Sequence, residues 1–244
     1  MDFEQAIILS RTANEHQQQA LDFINEYISD LSHFPSILDL FFQSQKPEIR
    51  LMLSFAIDSI ISSSISSIDP QILVDFRSKL IPLLFDSTTL PQMSNQIEKI
   101  ISTIAFNQWP EMWPEFVDEF LSAITTSGNV EAFKKLFSIL KLLIINILQS
   151  SYITVARSNL LMHELQFKIP DIISLMSTVS FEQIRSTGVE NSFLEFIISY
   201  SELKLEDVSL NCQLIEYLFQ TLSTVNSSTF TALKNLILKP QKDI

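Results

Sequence analysis

Two amphipathic runs joined by a turn rich in tryptophan and proline constrain this chain more than any other feature of its sequence. The turn spans residues 107–116 and reads NQWPEMWPEF. Upstream of it, apolar residues repeat at helical spacing: Met93, Ile97, Ile100, Ile101 and Ile104. Pro110 favours an extended residue before it, so this upstream helix is predicted to end near Gln108 or Trp109.

The second amphipathic run follows the turn directly. Pro114 is compatible with a helix that starts near Glu111, because the amides of a first helical turn have no intrahelical acceptor to lose. Apolar residues again recur at helical spacing: Trp113, Phe116, Val117, Phe120, Leu121 and Ile124. Trp109 and Trp113 are interpreted as core residues that lock two helices at a sharp corner, with an exposed binding platform as the alternative.

This corner carries a family resemblance. The pattern Trp-Pro-x-x-Trp-Pro-x-Phe over 109–116, preceded by a helix at 97–106 and followed by the apolar run 139–143, resembles a repeat junction near the amino terminus of exportin-1-like proteins. These proteins belong to the importin-β, or karyopherin, superfamily of nuclear transport receptors. The resemblance extends in helix order from about residue 13 to about residue 238. It implies an α-solenoid of HEAT or armadillo repeats.

The composition favours the same all-α class. Gly128 and Gly188 are the two glycines of a 244-residue chain in which 46% of residues are hydrophobic. A sheet protein rich in glycine turns is therefore disfavoured, and aliphatic residues at helical spacing favour packed helices. We predict a helical-repeat domain over residues 1–238 and a polar tail at 239–244.

Apolar spacing divides the chain into about five antiparallel helix pairs. A short helix at 3–9 precedes the first pair, which joins a helix over 20–31, with Asn14 as a candidate cap, to a partner that starts at Phe34. The later pairs are predicted at 47–86, 91–126, 129–176 and 181–223, with half a pair at 229–238. Their period of roughly 40 to 50 residues is close to that of HEAT and armadillo repeats. Such pairs stack on their neighbours in a superhelix, because none can bury its apolar face alone.

Prolines and serines mark the places where these helices are expected to be interrupted. Pro82 and Pro170 lie inside predicted helices and should kink, split or end them. The serine-rich stretch 62–67 is interpreted as a fraying helix end, because isoleucines continue through it at helical spacing.

Charge and cysteine content limit the function classes. The formal net charge of −12 disfavours sequence-independent binding to nucleic acid and favours basic protein partners. Cys212 is the only cysteine, which excludes an intramolecular disulfide and favours a reducing compartment. The acidic start at 1–4 is unlike a signal peptide, and the longest apolar run, 136–148, is interrupted by Lys141 and too short to cross a bilayer. We expect a soluble intracellular protein with no membrane insertion.

The sequence offers no constellation for catalysis. His16, His33 and His163 are scattered, without a second His or Cys at metal-ligand spacing. Cys212 lies among apolar residues of a predicted helix and is interpreted as a buried core residue. Two glycines cannot form a phosphate-binding loop. We therefore predict a protein that is not an enzyme and uses no metal or cofactor.

An acidic stripe is predicted beside the corner. Four carboxylates are spaced to share the face opposite the aromatic residues of one helix: Glu111, Glu115, Asp118 and Glu119. The stripe is interpreted either as a surface for a basic partner or as a solvated face whose acids favour the helix amino end. No organised partner is evident for these carboxylates, so acid–base chemistry is not indicated.

The resemblance also implies a partner, the GTPase Ran in its GTP-bound state. In the importin-β superfamily the second helices of the first repeats line the concave surface that holds Ran, and here these match about 34–43, 70–86 and 111–126. The polar residues expected to face Ran are Asp75, Arg77, Lys79, Asp86, Glu111, Glu115, Asp118 and Glu119. Cargo and nucleoporin contacts are expected mostly in later repeats, beyond this sequence. The implied role is protein export, with shuttling between nucleus and cytoplasm.

Two other interpretations stay open at the level of sequence. One is a HEAT-repeat scaffold that binds proteins outside nuclear transport, and the other is an importin or exportin for a different cargo. Dependence on GTP-bound Ran separates transport receptors from the scaffold. The chain is expected to be either a truncated gene product or a fragment of a longer one.

Overall fold

A computed structural model of the chain confirms the all-α class. Within the described residues the chain forms twelve α-helices and two 3₁₀ turns, and no strand. Backbone contacts divide it into two compact units, an amino-terminal unit, Met1–Asn107, and a carboxy-terminal unit, Gln108–Ile244. The described residues are 2–12, 15–86, 88–203, 208–221 and 234. The predicted cap Asn14, the half pair at 229–238, apart from Lys234, and the tail at 239–244 lie outside them.

The amino-terminal unit is built from six helices, the last of which ends at the unit boundary. They are α1 (Phe3–Ser10), α2 (Gln17–Ser29), α3 (Phe34–Gln43), α4 (Pro47–Ser64), α5 (Pro70–Phe85) and α6 (Pro91–Gln108). The serine-rich stretch ends α4 and continues as a 3₁₀ turn at Ile65–Ser67, which confirms the interpretation of a fraying helix end.

The closest helix packing in this unit differs from the predicted pairing. α1 packs on α2, where the Phe3 ring stacks on Tyr27 at a centroid distance of 4.5 Å. α3 packs on α4, although the sequence paired α2 with α3 and α4 with α5. The reason is that α1 has buried apolar residues of its own, Phe3 and Ile7 among them, and takes α2 as its partner. Among α1 to α4 the helices are thus paired, but the pairing is shifted by one helix from the predicted one.

α4 is a core helix that contains a buried carboxylate, Asp58. Among the described residues, Pro47–Ser67 is the stretch long and apolar enough to cross a membrane by length and composition, and 44% of its window is buried inside the protein. The core helix of a globular protein meets the same criterion. Asp58, 7% exposed, lies within the stretch and accepts a hydrogen bond from Lys99 Nζ of α6 at 2.8 Å. A paired carboxylate at this position fits a helix packed against other helices.

The carboxy-terminal unit contains the other six helices. They are α7 (Phe116–Ser127), α8 (Ala132–Gln149), α9 (Val155–Met176), α10 (Phe181–Thr187), α11 (Val189–Glu202) and α12 (Val208–Thr221). α8 carries the wide apolar face that its sequence predicts and packs closely on α11. The Phe137 ring lies 5.3 Å from Phe193 and 5.5 Å from Phe196 between centroids, so aromatic contacts join these two helices.

One expectation about a helix end is wrong, and neither internal proline splits or ends its helix. The single helix expected over 181–201 is divided at Gly188, whose φ of 75° is accessible to glycine at little cost and ends α10. α9 continues through Pro170 to Met176, and α5 continues past Pro82. Both prolines are exposed, so water can reach the carbonyl that each leaves without its amide donor, while the buried face of the helix keeps its packing.

The pair between the buried Asp58 of α4 and the exposed Lys99 of α6 gives a test of the packing. We expect Lys99→Met to lower the free energy of unfolding by about 1–3 kcal/mol, because a buried carboxylate loses its charged hydrogen-bond partner. Urea denaturation measures the change. The matched control is Lys46→Met, which breaks the exposed Lys46–Glu4 pair and should lower stability much less, because solvent screens an exposed ion pair.

The double variant Asp58→Asn/Lys99→Met should recover part of the loss, since no carboxylate is then left buried without a partner. If Lys99→Met were as stable as the parent chain, the pair would contribute nothing to the packing of α4 on α6.

Candidate functional site

An aromatic corner begins the carboxy-terminal unit. Both tryptophans of the chain are fully buried, which confirms that they are core residues and not an exposed platform. The Phe116 ring lies 5.6 Å from Trp109 and 4.8 Å from Trp113 between centroids, and Phe120 lies 5.7 Å from Phe116. Trp109, Pro110, Trp113, Pro114 and Phe116 together form this aromatic corner.

The chain enters α7 later than its sequence predicts. α6 ends at Gln108, as expected, but residues 109–115 form turns, so the predicted helix start near Glu111 is wrong. The Gln108 carbonyl accepts hydrogen bonds from the amides of Met112 and Trp113 at 2.7 and 3.2 Å. These bonds close the turn before a helix starts, and they hold the second indole ring inside the core.

The acidic stripe is therefore not one helix face. Glu111 lies in the turn, and Glu115 is the residue that precedes α7. Asp118 and Glu119 belong to the first turn of α7, where carboxylates favour the helix amino end. Glu111, Glu115 and Asp118 are exposed, and Glu119 is half-buried.

Two of these carboxylates bind cations on α9, so the expectation that they have no organised partner is wrong. The Arg157 guanidinium binds the Glu111 carboxylate, and Lys168 Nζ lies 2.7 Å from both carboxylate oxygens of Asp118. The order of these contacts shows that α7 and α9 run in the same direction. Arg157 and Lys168 are eleven residues apart, about three helical turns, so one face of α9 carries both.

The spacing of Arg157 and Lys168 on one helix face was visible in the sequence, but the sequence did not show that this face packs against α7. The pairs bridge elements about fifty residues apart in the chain. Partly exposed pairs of this kind contribute about 0–1 kcal/mol each. Their main effect is to neutralise two of the four acids near the corner.

The α5 candidates differ in their access to solvent. Asp75 and Lys79 are exposed, and Lys79 Nζ lies 5.4 Å from the centroid of the Phe42 ring. Arg77 is only 8% exposed. The expectation that it faces a partner protein is therefore corrected. Its position on α5 falls on the buried face, beside Phe76 and Leu80.

Asp86 ends α5 and is tied into the following turn. Its carboxylate accepts hydrogen bonds from the backbone N–H and the hydroxyl of Thr88, each at 2.8 Å. These bonds, aided by the charge of Arg50, lower the pKa of Asp86 from its ordinary value. Asp86 therefore presents a fixed negative charge at the end of α5.

The remaining polar candidates do not assemble into a chemical site. Cys212 is exposed on α12, so its interpretation as a buried core residue is wrong. The helix buries Leu214 and Tyr217 instead, and Cys212 lies off that face. Within the described part of the chain, no group of three or more His, Cys, Asp or Glu side chains could hold a metal ion.

These features define the class as an all-α protein of packed helix pairs with charged surfaces beside an aromatic corner. A family model described as exportin 1-like protein matches residues 90–234, which is more than half of the chain. The chain belongs to this exportin 1-like family of the importin-β superfamily. No curated protein sequence matches the chain. The crystal structure of an engineered protein is similar at 15% identity over 97% of each chain, with a TM-score of 0.40, and no conclusion rests on that likeness.

The corner makes a testable prediction about stability. Trp113→Ala empties a fully buried site, so we expect it to lower the free energy of unfolding by about 3–5 kcal/mol. Tyr152→Ala is the matched control, because Tyr152 is 95% exposed and its loss should change stability by no more than about 0.5 kcal/mol. Chemical denaturation of both variants measures the difference, and equal losses would contradict a core role for the ring.

Proposed function

We propose that this chain is an amino-terminal part of an exportin-like karyopherin that binds Ran in its GTP-bound state and acts in protein export from the nucleus. The observation that carries the proposal is the family match over residues 90–234, which includes the buried aromatic corner. The exportin 1-like family is a family of transport receptors. A receptor of this kind shuttles between nucleus and cytoplasm and meets nucleoporins and cargo on the way.

We select the residues proposed to contact Ran by the exposure of their charged side chains to solvent. On the amino-terminal unit these are Asp75, Lys79 and Asp86, and Arg77 is removed from the set because it is buried. On the carboxy-terminal unit, Glu115 is exposed and has no side-chain hydrogen bond to another described residue.

The other three carboxylates of the predicted stripe differ from Glu115. Glu111 and Asp118 are bound to α9, so a partner must compete with Arg157 and Lys168 for them. Glu119 is half-buried. Among the four, Glu115 is therefore the carboxylate that an incoming cation meets at the least cost.

Nucleotide preference tests the function. The purified chain is titrated by calorimetry, at fixed salt, with Ran loaded with a non-hydrolysable GTP analogue and, in parallel, with Ran–GDP. We expect binding to the GTP form and at least about tenfold weaker binding to the GDP form, a difference of about 1.4 kcal/mol. Equal affinity for the two forms would contradict a transport receptor and favour a HEAT-repeat scaffold outside nuclear transport.

Charge reversal tests the contact residues separately from the function. We expect Glu115→Lys to weaken binding to GTP-bound Ran by about five- to tenfold, because a contact with a basic surface becomes a like-charge contact. Glu182→Lys is the matched control, since Glu182 is an exposed acid in the first turn of α10. If both variants bound Ran like the parent chain, Glu115 would lie outside the interface while the nucleotide preference could still hold.

A further inference from the structure

α9 has a second polar surface, away from the corner and α7. Both cations of this helix, Arg157 and Lys168, are held by Glu111 and Asp118. Its other polar groups include the carboxylates of Glu164 and Asp171 and the imidazole of His163, whose Nδ1 lies 3.6 Å from the Glu164 carboxylate. Because both cations are bound in ion pairs, the rest of the α9 surface carries acids but no further lysine or arginine.

A cavity of about 530 Å³ lies on this surface, between α9 and α12. This volume is within the ~300–1,000 Å³ typical of ligand pockets. Its apolar wall consists of Phe167, Pro170 and Leu210, and the Phe167 side chain is 66% exposed. Gln213 of α12 and Gln166 of α9 add amide groups to the lining, and His163 of α9 adds an imidazole. An exposed phenylalanine in a concave site leaves apolar surface that a partner can cover.

One backbone carbonyl beside the cavity lacks its helical hydrogen-bond donor. Pro170 has no N–H, so it cannot donate the helical hydrogen bond to the carbonyl of Gln166, four residues earlier. Both residues line the cavity. The Asp171 carboxylate is exposed beside them and also lines it. The described lining thus contains one carboxylate and no lysine or arginine, so a ligand with N–H donors and positive charge complements the Asp171 end of the cavity.

We propose that this cavity binds a segment of a partner protein in which an apolar side chain is flanked by lysine or arginine. The apolar side chain packs on Phe167, while the cationic neighbour binds the Asp171 carboxylate and donates to the Gln166 carbonyl. The net charge of −12 favours the approach of a basic segment. This site uses no residue assigned above to Ran and goes beyond the proposed function, so its test needs no GTPase.

Three capped hexapeptides test the chemistry against the full chain. The probe is Gly-Lys-Leu-Lys-Leu-Gly, carrying a fluorophore for anisotropy measurements. The controls are Gly-Glu-Leu-Glu-Leu-Gly and Gly-Lys-Ser-Lys-Ser-Gly with the same label. We expect the probe to bind at least about tenfold more tightly than either control. Absence of binding by the probe would overturn the proposal, and equal binding of the two lysine peptides would reduce it to non-specific charge attraction.

Exposed substitutions then locate the site. We expect Phe167→Ala and Asp171→Asn each to weaken probe binding by about five- to tenfold. Their matched controls are Phe55→Ala and Asp75→Asn, because Phe55 is 50% exposed and Asp75 is exposed, and neither lines the cavity. The controls should bind the probe like the parent chain.

Proline replacement separates a binding role from a structural one. Pro170→Ala restores the amide that satisfies the Gln166 carbonyl within the helix, so it should raise the melting temperature and weaken probe binding. Pro82→Ala restores the same kind of bond in α5 and should raise the melting temperature without changing probe binding. Unchanged affinity in Phe167→Ala, Asp171→Asn and Pro170→Ala together would overturn the proposal even if the probe binds elsewhere on the chain.

Discussion

Burial of two indole rings around one phenylalanine determines how the carboxy-terminal unit begins. Trp109 and Trp113 have no exposed surface, and both rings contact Phe116. A turn closed on the Gln108 carbonyl places both rings inside before α7 starts. Since α7 starts only at Phe116, Asp118 falls in its first turn and meets Lys168 of α9. The packing of the two tryptophans on Phe116 thus fixes where α7 begins, and with it the position of Asp118 opposite Lys168.

Those charged contacts matter more for the surface than for stability. A partly exposed pair contributes little free energy, but each pair removes one acid and one cation from the charges available to a partner. The two cations of α9 are used in this way against Glu111 and Asp118. Glu115 stays available beside the corner, and Asp171 stays available on the surface beside α12. A chain with 28 acidic and 16 basic residues therefore distributes its acidity unevenly.

The sequence predicted helices and core residues well because both depend on local periodicity. The end of α6 at Gln108 and the burial of both tryptophans follow from apolar spacing and from the restriction that proline places on its predecessor. The start of α7 was missed because Pro114 is sterically allowed in a first helical turn, so local rules alone did not exclude that alternative. Gly188 was missed as a helix end although glycine is itself a sequence signal for a helix carboxy terminus, and its φ of 75° is the left-handed conformation that ends α10.

Charged partners were the least predictable part, since spacing along one helix says nothing about which helix faces it. Arg157 and Lys168 share a face by the helical period, but only the packing of α9 on α7 brings them to the corner acids. Arg77 shows the converse case. It was expected to face a partner because the family resemblance implies that role for the helix at 70–86, yet its position on α5 follows the buried stripe.

The two internal prolines give a comparison that the chain itself provides. Pro82 and Pro170 each lie inside a helix that continues past them, and each leaves one carbonyl without its amide donor. The residues beside Pro82 toward that carbonyl are polar and exposed, Ser78 and Lys79 among them, so hydration is a sufficient account there. Pro170 has an exposed Phe167 and a cavity beside it, where water satisfies the carbonyl but leaves the ring uncovered. A bound ligand with both apolar and donor groups covers the Phe167 ring and satisfies the carbonyl together. This difference in neighbouring residues is the reason to assign a binding role to the surroundings of Pro170 and not to those of Pro82.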